Sequence, residues 1–198
     1  GTMNVLAVIP ARFSSHRLPG KALLPIAGRP MIVHVLERAR QVEGISRVIV
    51  ATDDPRIREV VQAAEGEVWM TSADHVSGTD RVWEVVSRLA STEGVHYDVV
   101  VDIQGDEPLL DPGHVAALLA PFEDAGVRVA TIAAPLQDGL EDPSVVKVVT
   151  DHVGDALYFS RSRIPSAGNA LQHVGLYAFR PSALADFADR TPGPLERE

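Results

Sequence analysis

Short apolar runs alternate with amphipathic segments along the first two thirds of the chain. Five runs are rich in Val and Ile with little polar alternation, which is typical of strands buried on both faces; they cover residues 5–9, 47–51, 67–70, 97–103 and 128–134. Between them, helical spacing of apolar residues predicts helices over 30–42, 55–64, 77–91 and 112–125, with Pro30 and Pro55 at first helical positions and Asp53 or Asp54 as a cap. This alternation predicts an α/β fold in which a mostly parallel sheet carries helices on both faces.

The pattern changes after about residue 136. Three strand candidates follow over 145–150, 156–160 and 174–179, with few helical residues between them. We interpret this part as a small added β-sheet or β subdomain. It would close one side of a ligand site on the parallel sheet and contact a second substrate there. No linker rich in Pro, Gly or Ser separates it, so we predict a single domain over 1–198 with a nucleotide-binding part over 1–135.

The loop after the first predicted strand carries a cluster of positive charge. Arg12, Arg17 and Lys21 lie within ten residues, without any Asp or Glu among them, and a Pro19-Gly20 turn precedes the lysine. Side chains of this kind stay charged near neutral pH, and backbone N–H groups of a small-residue loop can approach phosphate oxygens. The loop therefore predicts a polyphosphate site; the alternative is a solvated basic turn.

Polar segments also follow the next three predicted strands, over 52–54, 71–81 and 104–108. Ligands of open parallel sheets bind outside the carboxyl ends of the strands, so we expect all four segments on one rim. Asp106 follows Gly105 at the end of a strand, a position that suits Mg²⁺ held by a carboxylate and substrate phosphates. The alternative is that Asp106 or Glu107 caps the helix that begins near Pro112.

Composition narrows the function classes. A formal net charge of −9 argues against nucleic acid as a partner. The sequence has no apolar stretch long enough for a membrane helix and no secretory signal, which predicts a cytoplasmic protein without a membrane partner. It contains 0 cysteines, so a metal would need oxygen or imidazole ligands. The dinucleotide-binding glycine fingerprint and the P-loop are also missing.

The chain resembles the bacterial 3-deoxy-manno-octulosonate (KDO) cytidylyltransferases, or CMP-KDO synthetases. The matching motifs occur in order along nearly the whole chain: IPAR at 9–12, RLPGK at 17–21, GRPMI at 28–32, VIVATD at 48–53, SGTDR at 77–81, QGDEP at 104–108, VKVV at 146–149, ALYFSR at 156–161, HVGLY at 173–177 and PLE at 194–196. The first motif indicates only the sugar-nucleotidyltransferase superfamily. The SGTDR, QGDEP and ALYFSR motifs are much more specific.

This resemblance implies a Rossmann-like fold of the nucleotide-diphospho-sugar transferase type, usually a homodimer. It implies transfer of CMP from CTP to the acidic eight-carbon sugar KDO, with release of pyrophosphate, for lipopolysaccharide assembly. The second part of the chain, 136–198, would then bind the sugar and contribute to dimerisation. The alternatives are a cytidylyltransferase for another acidic sugar, sialic-acid-like or amino-KDO, a non-catalytic nucleotide-binding module and, more remotely, a nicotinamide dehydrogenase.

The resemblance also implies roles for individual residues. Arg12 and Lys21, assisted by Arg17, would neutralise the triphosphate, and Asp106 would hold Mg²⁺. The residues expected around cytidine are Ala11, Ser77, Gly78, Arg81 and Gln104. Those expected at the sugar are Arg161, His173, Tyr177 and Glu196, of which Arg161 would pair with the sugar carboxylate.

Two family features are missing from this sequence. A second metal-binding Asp belongs to a later Asp-Thr-Pro-type segment, whereas the sequence ends at Glu198. The family also has a longer stretch between Ile164-Pro165 and His173. We therefore expect that segments of the protein, including a C-terminal one, are missing from the sequence; the alternative is a reduced variant of the family.

Overall fold

The computed structural model describes residues 2–14, 19–105, 110–135, 145–150 and 171–188, with the backbone alone at 133–135, 145 and 171–175. The strands are β1 (Val5–Pro10), β2 (Pro25–Ile26), β3 (Arg29–Pro30), β4 (Arg47–Thr52), β5 (Glu67–Met70), β6 (Val99–Ile103), β7 (Val129–Pro135), β8 (Val145–Val149) and β9 (Leu171–Phe179). The α-helices are α1 (Met31–Arg40), α2 (Pro55–Ala63), α3 (Gly78–Arg88), α4 (Pro112–Leu119) and α5 (Pro181–Ala188).

Seven of these strands form one mixed sheet in the order β5-β4-β1-β6-β9-β7-β8. The β5, β4, β1 and β6 strands are mutually parallel, whereas β9 pairs antiparallel with both β6 and β7. Every residue of β1 is buried, because the strand lies between two neighbours and under helices on both faces. The predicted α/β class is confirmed.

The last part of the sheet differs from expectation. The described strands after residue 136, β8 and β9, do not form a separate sheet; they extend the main one, and β9 inserts between β6 and β7. An apolar strand pattern does not specify which neighbour the strand will pair with, and this caused the difference. The predicted strand over 156–160 lies outside the described residues. The division of the domain at residue 136 stays a prediction.

Apolar side chains fill both faces of the sheet, as predicted. On one face, Ile9 and Val101 belong to a core covered by α1, α2 and α4. On the other, Leu6 and Val8 pack in a core with side chains from α3 and α5. Successive strand residues point to opposite faces, so each central strand contributes to both cores.

Helix ends depart from prediction by a few residues, for local reasons. Pro30 precedes α1 as its cap residue with extended backbone, so the helix begins one residue later than expected. The α4 helix ends at Leu119 and continues as a 3-10 turn over Ala120–Glu123, because Pro121 has no N–H group to donate to an α-helical bond. The α3 helix ends at Arg88 and passes into a π turn over Leu89–Glu93.

Candidate functional site

The carboxyl ends of β1, β4, β5 and β6 lie at one edge of the sheet because these strands are parallel. Backbone hydrogen bonds join the ends of neighbouring strands: Ala11 donates to Ala51 (2.9 Å), and Thr71 donates to Thr52 (2.9 Å). The described parts of the four predicted polar segments therefore follow strands that end on a single rim.

Three predicted nucleotide-binding residues, Ala11, Gly78 and Gln104, come together around the end of β1. A methyl group on Gly78, the first residue of α3, would lie 3.4 Å from Pro10 Cγ and 3.8 Å from Gln104 Nε2. A methyl group on Gly105 would lie 3.2 Å from Ala11 Cβ and only 3.0 Å from the Pro10 carbonyl oxygen. The segment after β6 therefore approaches the end of β1 closely at Gly105, with little room for a side chain between them.

The cationic loop closes on itself. The Gly20 N–H donates to the Phe13 carbonyl (2.6 Å), and Gly20 has a φ of +76°, a conformation that favours glycine. Arg12, immediately before this closure, is exposed, and Lys21, immediately after it, begins a 3-10 turn. Two of the three predicted phosphate-binding cations thus flank one closure point, while Arg17 lies outside the described residues.

Arg81 is buried, with 3% of its area exposed. Its Nη1 donates to Thr71 Oγ1 (2.6 Å) and to the Ser72 carbonyl (3.0 Å). Burial lowers the pKa of its guanidinium, and Arg12 acts in the same direction, whereas Asp53 and Glu84 oppose the shift. Arg81 therefore braces the loop after β5, and its predicted contact with the nucleotide stays a prediction.

Ser77 caps α3, since its side-chain oxygen accepts a hydrogen bond from the Asp80 N–H (3.1 Å). The residue is 8% exposed, and its hydroxyl hydrogen is left to donate elsewhere. Its predicted contact with cytidine is compatible with this cap but stays a prediction.

Glu84 organises the same loop, a role that the sequence motifs did not indicate. It accepts hydrogen bonds from the Ser72 N–H (2.9 Å) and from Arg88 Nη1 (2.9 Å), and its Oε1 lies 2.9 Å from His75 Nε2. Burial raises the pKa of the Glu84 carboxyl, but these hydrogen bonds outweigh burial and lower the pKa below its usual value. Helical spacing places Glu84 three residues after Arg81 on α3, which is the one sequence signal that could have found it.

Tyr177 is the only predicted sugar-binding residue whose side chain falls within the described part of the chain. It is half-buried on β9, stacks on Phe179 with 6.1 Å between ring centroids, and lies opposite Asp102 of β6 in the strand register. Gln104, two residues after Asp102, directs its amide nitrogen towards the Asp102 carboxylate at 3.5 Å. Tyr177 is therefore one strand away from the predicted nucleotide site.

Asp102 is a buried acid that none of the sequence motifs includes. The residue is 2% exposed within an otherwise apolar strand. The one sign of it in the sequence is an acidic residue within the apolar run VVVDI. Of the other predicted sugar-binding residues, His173 is described only as β9 backbone, and Arg161 and Glu196 lie outside the described residues.

The capping alternative for Asp106 loses its basis. Asp111 caps α4, accepting a hydrogen bond from the Gly113 N–H (2.8 Å), so that helix needs no cap from Asp106 or Glu107. Asp106 itself lies outside the described residues, within which no group of three or more potential metal ligands occurs. None of the helices described is long and apolar enough to span a membrane.

A cytidylyltransferase family model matches residues 6–198. The chain belongs to the cytidylyltransferase family. This cytidylyltransferase is 45% identical to the 3-deoxy-manno-octulosonate cytidylyltransferase of Geobacter metallireducens, in a match covering 98% of this chain and 82% of the relative. It is 47% identical to the enzyme of the same name from an Anaeromyxobacter species, over 98% of this chain and 80% of the relative.

A solved structure of a CMP:2-keto-3-deoxy-manno-octonic acid synthetase complexed with CTP is similar to this cytidylyltransferase. The TM-score is 0.70 and the identity 36%, with 98% of this chain and 81% of that chain covered. A 4-diphosphocytidyl-2C-methyl-D-erythritol synthase shares the fold, with a TM-score of 0.61 at 18% identity over 96% of this chain and 81% of that chain. The predicted sugar-nucleotidyltransferase type of fold and the predicted family are confirmed.

Proposed function

We propose that this cytidylyltransferase transfers CMP from CTP to 3-deoxy-manno-octulosonate and releases pyrophosphate. The observation that carries the proposal is the convergence of a closed cationic loop with Gly78, Gln104 and Gly105 at one strand edge. The name shared by relatives that are 45–47% identical over 98% of the chain supports the choice of substrates.

The reaction places modest demands on the protein. A sugar hydroxyl oxygen bonds to the α-phosphorus of CTP, the bond from that phosphorus to the α,β-bridging oxygen breaks, and pyrophosphate leaves with the electron pair. The hydroxyl proton passes to solvent. Such a transfer needs in-line positioning and neutralisation of the leaving group rather than a covalent intermediate.

Arg12 and Lys21 are the groups we assign to neutralisation of the leaving group, with Arg17 assisting. The Gly20–Phe13 hydrogen bond supports this assignment, because it holds the backbones next to both cations together. Preorganised charge costs no rearrangement when the negative charge of pyrophosphate develops.

Mg²⁺ is the proposed cofactor, with Asp106 as its protein ligand. The residue before Asp106, Gly105, lies against the β1 end that leads into Arg12, and the cap of α4 is supplied by Asp111. A carboxylate together with phosphate oxygens is a ligand set that suits this ion. When bound, Mg²⁺ would neutralise phosphate charge beside the two cations.

The sugar contacts rest on the family resemblance and on the position of Tyr177. We assign Arg161 to the sugar carboxylate and His173, Tyr177 and Glu196 to the remaining contacts. Tyr177 supports this assignment because it lies across from Asp102, beside the strand that delivers Gln104. A cytoplasmic homodimer that supplies activated sugar to lipopolysaccharide assembly completes the proposal.

A pyrophosphate-release assay with CTP, Mg²⁺ and KDO on the full-length gene product tests the proposal. We expect turnover with KDO to exceed turnover with sialic acid or amino-KDO. A preference for either of those sugars would reassign the substrate. CTP binding without turnover on any of them would indicate a non-catalytic nucleotide-binding module, and NAD binding would revive the dehydrogenase alternative.

A further inference from the structure

Phe13 contacts the end of the cationic loop in two ways. Its carbonyl oxygen accepts the Gly20 N–H, and its ring lies against the Gly20 backbone, where a methyl group on Gly20 would stand 2.9 Å from Phe13 Cε2. Both the backbone and the side chain of Phe13 therefore define where the loop closes.

The Phe13 ring is also held by Arg56 of α2. The Arg56 guanidinium carbon lies 3.4 Å from the ring centroid, within the range of a cation–π interaction. Asp54 fixes the orientation of this guanidinium through two bonds, Nε to Oδ1 (3.1 Å) and Nη2 to Oδ2 (2.7 Å). Asp54 also caps α2 by accepting the Arg56 N–H (2.8 Å), so the pair is anchored to the helix backbone.

The Phe13–Gly20 contact lies next to both described cations of the loop. Arg12 directly precedes Phe13 in the chain, and Lys21 directly follows Gly20. Because the Asp54–Arg56 pair holds the Phe13 ring, it helps to fix the backbone from which both cations extend.

We propose that Asp54, Arg56 and Phe13 form a loop clamp that positions Arg12 and Lys21 for the triphosphate of CTP. The members of the clamp are positioning residues: they act on the nucleotide through the loop. The inference rests on the proposed function, because CTP is taken as the anion that the loop binds. It extends that function by giving Asp54 and Arg56, which lie outside the loop, a part in holding the loop in position.

Calorimetric CTP binding to the Phe13→Leu and Arg56→Gln variants tests the clamp. Each variant should weaken CTP binding by about two- to fivefold, the size of effect expected when one exposed interaction of this class is lost. The Phe13→Tyr variant keeps the aromatic face and should bind CTP like wild type. Arg58→Gln, on the same helix, is the matched control and should bind CTP like wild type.

The double variant Phe13→Leu/Arg56→Gln separates positioning from direct contact. Substitutions that remove the same contact should have non-additive effects on affinity. We therefore expect the double variant to lose no more CTP affinity than the single variant with the larger loss. Fully additive losses would mean that Arg56 acts on CTP binding independently of Phe13 and would overturn the clamp. Unchanged CTP affinity in Arg56→Gln would do the same; this exposed position should tolerate the change even if Phe13→Leu fails to fold.

Steady-state kinetics provide a second readout. The KM for CTP should rise in both single variants while the KM for KDO stays within about twofold, because the clamp acts on one substrate only. Equal increases in both KM values would indicate a general structural defect and overturn the clamp. Absence of wild-type turnover with KDO would overturn the proposed substrate but leave the CTP-binding test of the clamp intact.

Discussion

Gly105 packs against Pro10 so closely that a methyl group on its Cα would meet the Pro10 carbonyl oxygen at 3.0 Å. The same methyl group would also lie 3.2 Å from Ala11 Cβ, with Ile32 Cδ1 of α1 at an ordinary contact distance of 3.5 Å. This contact sets the separation between the residue before Asp106 and the segment that begins with Ala11 and Arg12. The spacing between the proposed metal ligand Asp106 and the proposed phosphate-binding Arg12 therefore depends on one glycine.

The Gly105→Ala variant should lose both stability and nucleotide affinity. Backbone atoms, rather than a flexible side chain, would have to move, and overpacking of this kind costs about 1–3 kcal/mol. Thermal unfolding and CTP calorimetry measure the two effects. Gly113→Ala is the comparison for CTP binding, because its methyl group would meet only the Asp111 side chain, at 3.1 Å, and would disturb the α4 cap rather than the contact between Gly105 and Pro10. Wild-type stability in Gly105→Ala would contradict the close-approach argument.

Arg12→Ala and Lys21→Ala should each reduce turnover. Loss of one preorganised charge at the leaving group should cost about 2–4 kcal/mol of transition-state stabilisation, or at least about thirtyfold in rate. Pyrophosphate release at saturating CTP checks this prediction. Arg128→Ala serves as the matched control, since Arg128 pairs with Asp186 (3.1 Å) at the opposite end of the sheet. Unchanged turnover in Arg12→Ala or Lys21→Ala would remove that residue from the catalytic set.

Asp106→Ala should abolish most of the turnover while the protein keeps its fold. The carboxylate is the proposed protein ligand of Mg²⁺, and alanine offers no oxygen in its place. Mg²⁺ titration of pyrophosphate release, with circular dichroism as the folding check, measures the effect. Asp111→Asn removes a carboxylate five residues later and keeps a capping side chain, so it should remain active. Pyrophosphate release at the wild-type rate in Asp106→Ala would exclude the metal role.

Lowering the pH should remove the stabilisation that the Arg47–Glu67 ion pair provides at the edge of the sheet. Arg47 donates two hydrogen bonds to Glu67, Nε to Oε1 at 2.8 Å and Nη2 to Oε2 at 2.5 Å. These bonds lower the pKa of the Glu67 carboxyl, although burial opposes the shift and the Trp69 N–H assists it. The folded-state pKa lies below the unfolded one, so the contribution is complete above the unfolded pKa and is lost as pH falls through the folded pKa.

Glu67→Gln is therefore expected to be less stable than wild type at neutral pH, by at most about 1 kcal/mol because the pair is partly exposed. The difference should shrink as the pH is lowered through the range in which carboxyls titrate. Urea unfolding at a series of pH values checks this, with exposed Glu59→Gln on α2 as the control. A difference that stays constant down to pH 2 would show that the ion pair is not its source.

Most of the central sheet could be predicted from sequence because its signal is local. The run over Val5–Pro10 is apolar throughout, and a strand buried on both faces requires that pattern. The position of β9 could not be predicted in this way. Its partners in β6 are more than seventy residues earlier in the chain, and nothing in an apolar run encodes which strand it will pair with.

The predicted site divides in the same manner. Motif positions identified Ala11, Gly78 and Gln104, and the parallel strands bring them together. Motifs did not reveal that Arg81 is buried and braces Thr71 and Ser72, because burial depends on the packing of α3 against the sheet. The stacking of Arg56 on Phe13 was equally hidden, since Arg56 lies in α2 and Phe13 in the loop after β1.

The sequence by itself determined the α/β class, the rim of polar loops, the family and the residue types available for phosphate and metal. These follow from periodicity, composition and motifs, which are properties of neighbouring residues. Only the tertiary structure decided that Gly105 meets Pro10 and that Phe13 closes the cationic loop beneath Arg56. Such contacts depend on the relative placement of segments, which packing of the two cores on the sheet sets.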